Sequence, residues 1–275
     1  MTPFFQLDPK IESASAAALQ QVAPRFTEID EVTEYNQLKV LRAFMDNGIS
    51  ERHFGSSTGY GYGDEGRETL DKVWAQVFGA EDALVRHNFT CGTHTLAVAL
   101  FGVLRPGDKM LCVSGMPYDT LHSVIGLTGE NMGSLKDYGI AFDCVPLKEE
   151  HLDYEAIANA VDDTVTMVYI QRSRGYELRA SLSLEETQKV AEIAKEKNPN
   201  CIVMVDNCYC EFVNKQEPPG GGRSDRRVAD QKRRRRYGPH RRLHSRAPRF
   251  GRKVRLSADH PRTGAGSGRH SGNES

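Results

Sequence analysis

The chain has 275 residues, 39% of them hydrophobic, and its 36 Lys+Arg against 37 Asp+Glu leave a formal net charge of −1. That length supports one domain with a sizeable core, while no apolar run reaches the roughly 20 residues of a membrane-spanning helix and the first dozen residues lack a secretory signal pattern. Six cysteines without a CxxC pair argue against a disulfide framework, so a reduced cytoplasm is the expected compartment.

From Ser13 to about Asn47 the pattern is helical: Ala16 to Val22 is rich in helix formers, and Leu38, Leu41, Phe44 and Met45 recur at three- and four-residue spacing. The expectation is an arm of two helices over residues 1–50. His53 to Gly66 is too rich in glycine and other turn formers for regular structure, and a helix is expected from Arg67 to Phe78. Beyond it, short apolar runs alternate with helical stretches: Ala83–Arg86 then Thr95–Leu104, Lys109–Val113 then Thr120–Leu127, and Ala141–Val145 then Tyr154–Val161. Two further runs, Val165–Ile170 and Cys201–Val205, enclose the amphipathic stretch Leu184–Lys197. This alternation predicts an α/β domain over residues 51–219, with a mostly parallel sheet covered on both faces. In such sheets ligands sit beyond the carboxyl ends of the strands, which makes the residues just after each run the candidates for chemistry.

The alternation stops near Pro219. Residues 1–219 carry 19 Lys+Arg against 33 Asp+Glu, a net of −14, whereas residues 220–275 carry 17 against 4, a net of +13. Only 10 of the last 56 residues are hydrophobic, and they follow neither a helical nor a strand period. Such a segment cannot bury enough apolar surface to offset its chain entropy, and disorder is expected. Taken at face value it is a basic arm for nucleic acid. Its 15 arginines show no aromatic interleaving or RGG-like repeat and begin abruptly inside a domain, so nucleic acid is not the expected partner.

Four post-strand segments could carry chemistry. Cys91-Gly92-Thr93-His94 opens a helix, where free backbone N–H groups and the positive dipole end suit a phosphate; the alternative is that Thr93 only caps the helix. Tyr118, after the Lys109–Val113 run, offers a face on which a flat ring could stack, or is simply packed. Arg172 and Arg174, at the end of the Val165–Ile170 run, could hold a carboxylate or phosphate, or be solvated surface charge. Asp206, at the end of the last run, could pair with a protonated ring nitrogen, or cap its loop. Cys208 and Cys210 have no second pair of ligands nearby, so no metal site is expected.

In this order the segments Ser57–Arg67 (STGYGYGDEGR), Cys91–His94, Gln171–Tyr176 and Val205–Tyr209 resemble the pyridoxal-phosphate-dependent enzymes of aspartate-aminotransferase-like fold (fold type I). The closest likeness is to the methionine gamma-lyase-like group of aluminium resistance proteins related to cystathionine beta-lyases, over essentially all of residues 1–219. The resemblance implies a carbon–sulfur lyase using pyridoxal 5'-phosphate on a sulfur-containing amino acid; an aminotransferase on the same fold remains the alternative. It implies that Gly92 and Thr93 hold the cofactor phosphate, that Tyr118 stacks on the ring and that Asp206 binds its nitrogen. It further implies that Tyr60, Tyr62 and Arg67 reach the phosphate of a neighbouring subunit in a homodimer or homotetramer, and that Arg172 or Arg174 binds the substrate carboxylate.

Two departures stand out. After Asp206–Tyr209 the family pattern has glycine where Cys210 stands, and a Cβ there is expected to strain the turn. The family's Ser-Leu-Ile-Lys-Asn segment, whose lysine holds the cofactor covalently, is absent, as is the C-terminal small domain; the nearest lysine, Lys232, sits among arginines. Back-translating Val228–Arg233 and advancing the frame by one base permits Ser-Leu-Ile-Lys-Asn, with the lysine codon straddling Gln231 and Lys232. The sequence therefore suggests a one-base frame loss between Gln216 and Arg223, and a chain that is catalytically inactive as written.

Overall fold

The computed structural model describes residues 6–60, 63–129 and 133–218, together with the backbone of 254–257. Helix α1 runs unbroken from Pro9 to Asp46, 38 residues, with Asp8 accepting a hydrogen bond from the Lys10 N–H at its start. The sequence predicts two helices here. Pro24 lies inside α1, and a helix-interior proline costs roughly 3 kcal/mol through its missing N–H and its ring; good helix formers on both sides carry the helix across that one gap.

The C-terminal part of α1 packs on α2 (Glu65–Val77), where Ala43, Val73, Val77 and Phe78 form a small core with Val40, Phe44 and Trp74. Asp71 of α2 accepts from the Val85 N–H and pairs with Arg86 at 2.8 Å, which fixes α2 against strand β1 (Asp82–Val85). Asn36, buried in α1, donates from Nδ2 to the carbonyls of Phe212 and Asn214, both at 3.0 Å, so α1 also holds the segment that follows the last sheet strand.

The main sheet has four parallel strands in the order β3-β2-β4-β5: β2 is Lys109–Cys112, β3 Ala141–Cys144, β4 Val165–Gln171 and β5 Ile202–Asp206. Alternation along β4 sends Met167 and Tyr169 to one face and Val168 and Ile170 to the other. The first face packs on α3 (Gly92–Val103) and α4 (Asp119–Ile125) through Leu100, Leu121, Ile125 and Met110. The second packs on α5 (Tyr154–Ala160) and α6 (Leu184–Lys197) through Ile157, Val190 and Ala194. Each fully buried Leu or Ile contributes about 2 kcal/mol on this account. The doubly covered parallel sheet matches the sequence expectation, and predicted element ends fall within a few residues of those observed.

Gly126 closes α4 at φ +91°, a left-handed conformation that an L side chain rarely adopts. Its ideal Cβ would lie 2.5 Å from Ser134 Oγ, which adds a steric reason for glycine.

One segment departs from expectation. Val254–Ser257, within the stretch expected to be disordered, forms strand β6 paired in parallel with β1 from Asp82↔Val254 to Val85↔Ser257. Unpaired strand edges recruit extended chain irrespective of its side chains, which accounts for pairing where the composition predicts none. Lys232 and the rest of the arginine-rich stretch lie outside the described residues.

Candidate functional site

The carboxyl ends of β2, β4 and β5 and the N-termini of α3 and α4 are joined by a chain of short contacts. Thr93 Oγ1 lies 2.7 Å from Thr120 Oγ1, bringing the first turns of α3 and α4 together. The backbone N–H of Tyr118, which precedes α4, donates to Gln171 Oε1 at 2.7 Å, tying α4 to the end of β4. Gln171 is buried, its own N–H donating to Ser114 Oγ at 2.8 Å, and it stands opposite Asp206 in the β4–β5 register. The structure thus connects Thr93, Tyr118 and Asp206, three residues widely separated in sequence that the family resemblance assigns to one ligand.

At the start of α3 the Cys91 Sγ accepts from the His94 N–H at 3.4 Å, and the Thr95 N–H is bonded to the Cys91 carbonyl. Among the described residues nothing accepts from the N–H groups of Gly92 and Thr93. Two open N–H donors at the positive end of a twelve-residue helix, beside the Thr93 and Thr120 hydroxyls, suit an oxyanion with several oxygens. Thr93 therefore does not act as the N-cap; Cys91 does.

Tyr118 is half-buried, with its ring 5.8 Å from that of Tyr176 at a tilt of 40°. Its hydroxyl is pushed up to about 12, first by hydrogen bonding to Tyr176 and then by burial and nearby negative charge. Gly175 passes beneath this ring at φ +58°, and a Cβ there would meet Tyr118 Cδ2 at 3.4 Å.

Asp206 is half-buried at the end of β5. Its Oδ2 accepts from the Tyr169 hydroxyl at 3.1 Å and its Oδ1 from the Cys208 N–H at 3.0 Å. Burial raises the carboxyl pKa, opposed by these two hydrogen bonds. Among the described residues Asp206 makes no ion pair. A partly desolvated carboxylate without a cation is the arrangement that a protonated ring nitrogen would complement.

The two arginines part company. Arg172 is buried; its Nε donates to the Leu182 carbonyl at 3.1 Å and its Nη1 to Asn207 Oδ1 at 2.5 Å, so it braces the α5/α6 side of the sheet end. Arg174 is exposed in the following turn. A third arginine, Arg179, is buried and holds that turn through the carbonyls of Ser173 and Ala180 and the Glu177 carboxylate. Sequence reasoning does not single it out, nor Gln171, Tyr169 and Thr120. For Thr120 the signal is present, since it follows Tyr118 at a helix start as Thr93 follows a strand.

Tyr60 and Arg67 meet just before and within α2, the Arg67 Nη2 donating to the Tyr60 carbonyl at 3.3 Å. Tyr62 lies outside the described residues. The strain expected at Cys210 sits one residue earlier: Tyr209 adopts φ 67°, and Phe212 φ 59°, whereas Cys210 is buried and its N–H closes a turn onto the Asn207 carbonyl at 2.9 Å. The left-handed position is the residue before the one expected, so the Cβ of Cys210 meets no conformational penalty while that of Tyr209 does.

Comparison with known proteins adds a family. The profile of the methionine gamma-lyase family matches residues 11–224. The uncharacterized protein YnbB of Bacillus subtilis is 47% identical over 193 residues, covering 70% of this chain and 46% of YnbB. A solved structure from Clostridium novyi, described as a carbon-sulfur lyase involved in aluminium resistance, is 46% identical with a TM-score of 0.74, covering 77% of this chain and 51% of its own. One from Listeria monocytogenes, described as a proposed cystathionine beta-lyase involved in aluminium resistance, is 45% identical with a TM-score of 0.74, covering 77% and 52%. The likeness bears out the expected α/β fold class, and the chain spans about half the length of these relatives.

Proposed function

Because the chain belongs to the methionine gamma-lyase family, we propose that the Thr93–Tyr118–Asp206 constellation binds pyridoxal 5'-phosphate, and that the complete protein is a carbon–sulfur lyase acting on a sulfur-containing amino acid. The observation that carries this reading is the half-buried Asp206 carboxylate, hydrogen-bonded on both oxygens yet without a cation among the described residues, at a strand end linked by short contacts to an open helix N-terminus. The residues fit the group chemically. Gly92 and Thr93 N–H and the Thr93 and Thr120 hydroxyls would bind its phosphate, Tyr118 would cover one face of its ring, and Asp206 would hold the ring nitrogen protonated. When bound, pyridoxal phosphate supplies an electron sink for bonds broken next to the substrate amine.

Arg174, exposed in the turn after β4, is the better placed of the two arginines to meet a substrate carboxylate, because the Nε and Nη1 of Arg172 are already engaged. Tyr60, Tyr62 and Arg67 would complete a neighbouring subunit's phosphate site in a homodimer or homotetramer. The cytoplasm is the compartment this chemistry and the six free thiols suit.

The residues that bind the cofactor all precede the charge reversal, whereas the lysine that would hold it covalently does not appear in frame. The reading is therefore a chain that binds pyridoxal phosphate reversibly and does not turn over substrate, because covalent catalysis is lost with the lysine. Borohydride reduction of the protein with pyridoxal phosphate should leave no stoichiometric adduct, and a defined adduct on Lys232 would overturn this. Restoring the frame by one base near Gln216–Arg223 should give an enzyme that releases ammonia and a keto acid without an amino acceptor; a requirement for an acceptor would identify an aminotransferase instead. A continuous, unshifted gene for the same arginine tail in related strains would refute the frame loss.

A further inference from the structure

Tyr169 is fully buried in β4, among Met110, Cys112 and Met167 on the α3/α4 face of the sheet. Its hydroxyl alone among the side-chain atoms meets a polar partner, donating to Asp206 Oδ2 at 3.1 Å. In the β4–β5 register Tyr169 pairs with Met204 and Gln171 with Asp206, so the phenol spans two rungs along the same face and reaches the carboxylate from inside the sheet. The other oxygen, Oδ1, accepts from the Cys208 N–H at 3.0 Å. The carboxylate is thereby gripped from two sides by groups that cannot move independently, a strand-anchored ring and the backbone of the turn after β5. A buried tyrosine on an apolar face could have been phenylalanine without loss of packing. The hydroxyl exists in that position to meet a polar partner, since burying it unpaired would be costly.

We propose that Tyr169 is a positioning residue for the ligand site: through its hydroxyl it holds Asp206 in the orientation and charge state that receive a protonated heteroaromatic nitrogen. The proposal rests on the cofactor reading above. Tyr169 touches neither ligand nor substrate and acts through Asp206. A donor to the ionised carboxylate favours that form against the burial that opposes it, and two fixed hydrogen bonds prevent the carboxylate from rotating away from an incoming ring.

The test is Tyr169→Phe in the full chain, a substitution that keeps the buried ring. Two readouts separate the positioning role from the cofactor reading. The first needs no ligand: the Asp206 carboxyl, followed by carbon-13 NMR, should titrate at higher pH in Tyr169→Phe than in the parent, and an unchanged midpoint in a folded variant overturns the proposal. The second compares pyridoxal phosphate with an analogue bearing carbon in place of the ring nitrogen. Tyr169→Phe should weaken the first by about tenfold, the size of one hydrogen bond to a charged group, and leave the second within about twofold, whereas equal losses for both would overturn it. In an Asp206→Asn background the same substitution should have no further effect on binding; an undiminished effect there would show that Tyr169 acts on packing alone. If the parent binds neither ligand while the Asp206 midpoint still shifts, the cofactor reading fails and the positioning of Asp206 stands.

Discussion

Removing the Arg172 guanidinium is the perturbation that best separates bracing from substrate binding at the sheet end. Its Nε donates to the carbonyl of buried Leu182 at 3.1 Å and its Nη1 to Asn207 Oδ1 at 2.5 Å. Asn207 in turn donates to Glu217 Oε2 at 3.0 Å, and Glu217 Oε1 accepts from the Phe212 N–H at 2.9 Å. In Arg172→Ala at least one of the two acceptors stays buried without a donor, at about 1–3 kcal/mol for each group left so, and the packed aliphatic stem is also lost. The expected cost is about 3–5 kcal/mol, a large share of a domain's total stability. Urea unfolding should show this as a lower midpoint at nearly constant slope. Arg174→Ala, at an exposed position, should stay within about 0.5 kcal/mol. A cost below about 1 kcal/mol for Arg172→Ala would refute the bracing role and return Arg172 to the substrate-binding candidates.

Asp206 has a carboxyl whose folded pKa is raised by burial, so the folded state takes up a proton more readily than the unfolded chain and this group's contribution to stability falls as pH rises from the ordinary aspartate range through the raised folded value. Asp206→Asn should therefore stabilise the protein at pH 7, with the advantage shrinking as pH is lowered through that window, in urea melts at a series of pH values; a gap that does not change with pH would contradict the sign. Tyr118 should titrate near 12 by carbon-13 NMR of its ring, and Tyr176→Phe should bring it back toward the usual tyrosine range, because hydrogen bonding to Tyr176 is the largest cause of the shift. Cys208 is exposed, yet burial of its thiol and the Asp206 charge push it up to about 11. It should react slowly with a thiol reagent at pH 7 and faster with each pH unit up to that value; rapid labelling at neutral pH would contradict the assignment.

Fold class is legible because period is a physical constraint. A strand buried on both faces must be largely apolar, as Val165–Ile170 is apart from Thr166 near its start, and the helices that cover it must carry an apolar stripe, as Leu184–Lys197 does. The N-terminal helix escapes local pattern for an equally physical reason. Pro24 marks a point where a helix usually ends, and local sequence gives no weight to what happens further along the chain, where Asn36, Val40 and Ala43 are fixed against α2 and the Phe212–Asn214 segment. Anchoring at one end keeps the helix nucleated, and the propensity of Ala16 to Val22 then extends it beyond the proline.

The candidate site is legible only where one residue sits at the end of one element. Tyr118 and Asp206 stand just after an apolar run in the sequence, and Gly92 and Thr93 open the helix after one, which is the local signal that marks them. Arg172 also follows a strand, yet its side chain is committed to Leu182 and Asn207. The difference depends on which face of the sheet each residue meets, and that is set by register with a strand distant in sequence. Tyr169 shows the converse. Within VTMVYIQ it is an ordinary core aromatic by any local criterion, and its partner Asp206 is 37 positions distant. Post-strand position therefore identifies groups that can face a ligand, while the groups that orient them lie inside the strands, disguised as core. Searching the buried polar atoms in the last three residues of each strand, rather than the loops alone, would find both Tyr169 and Gln171.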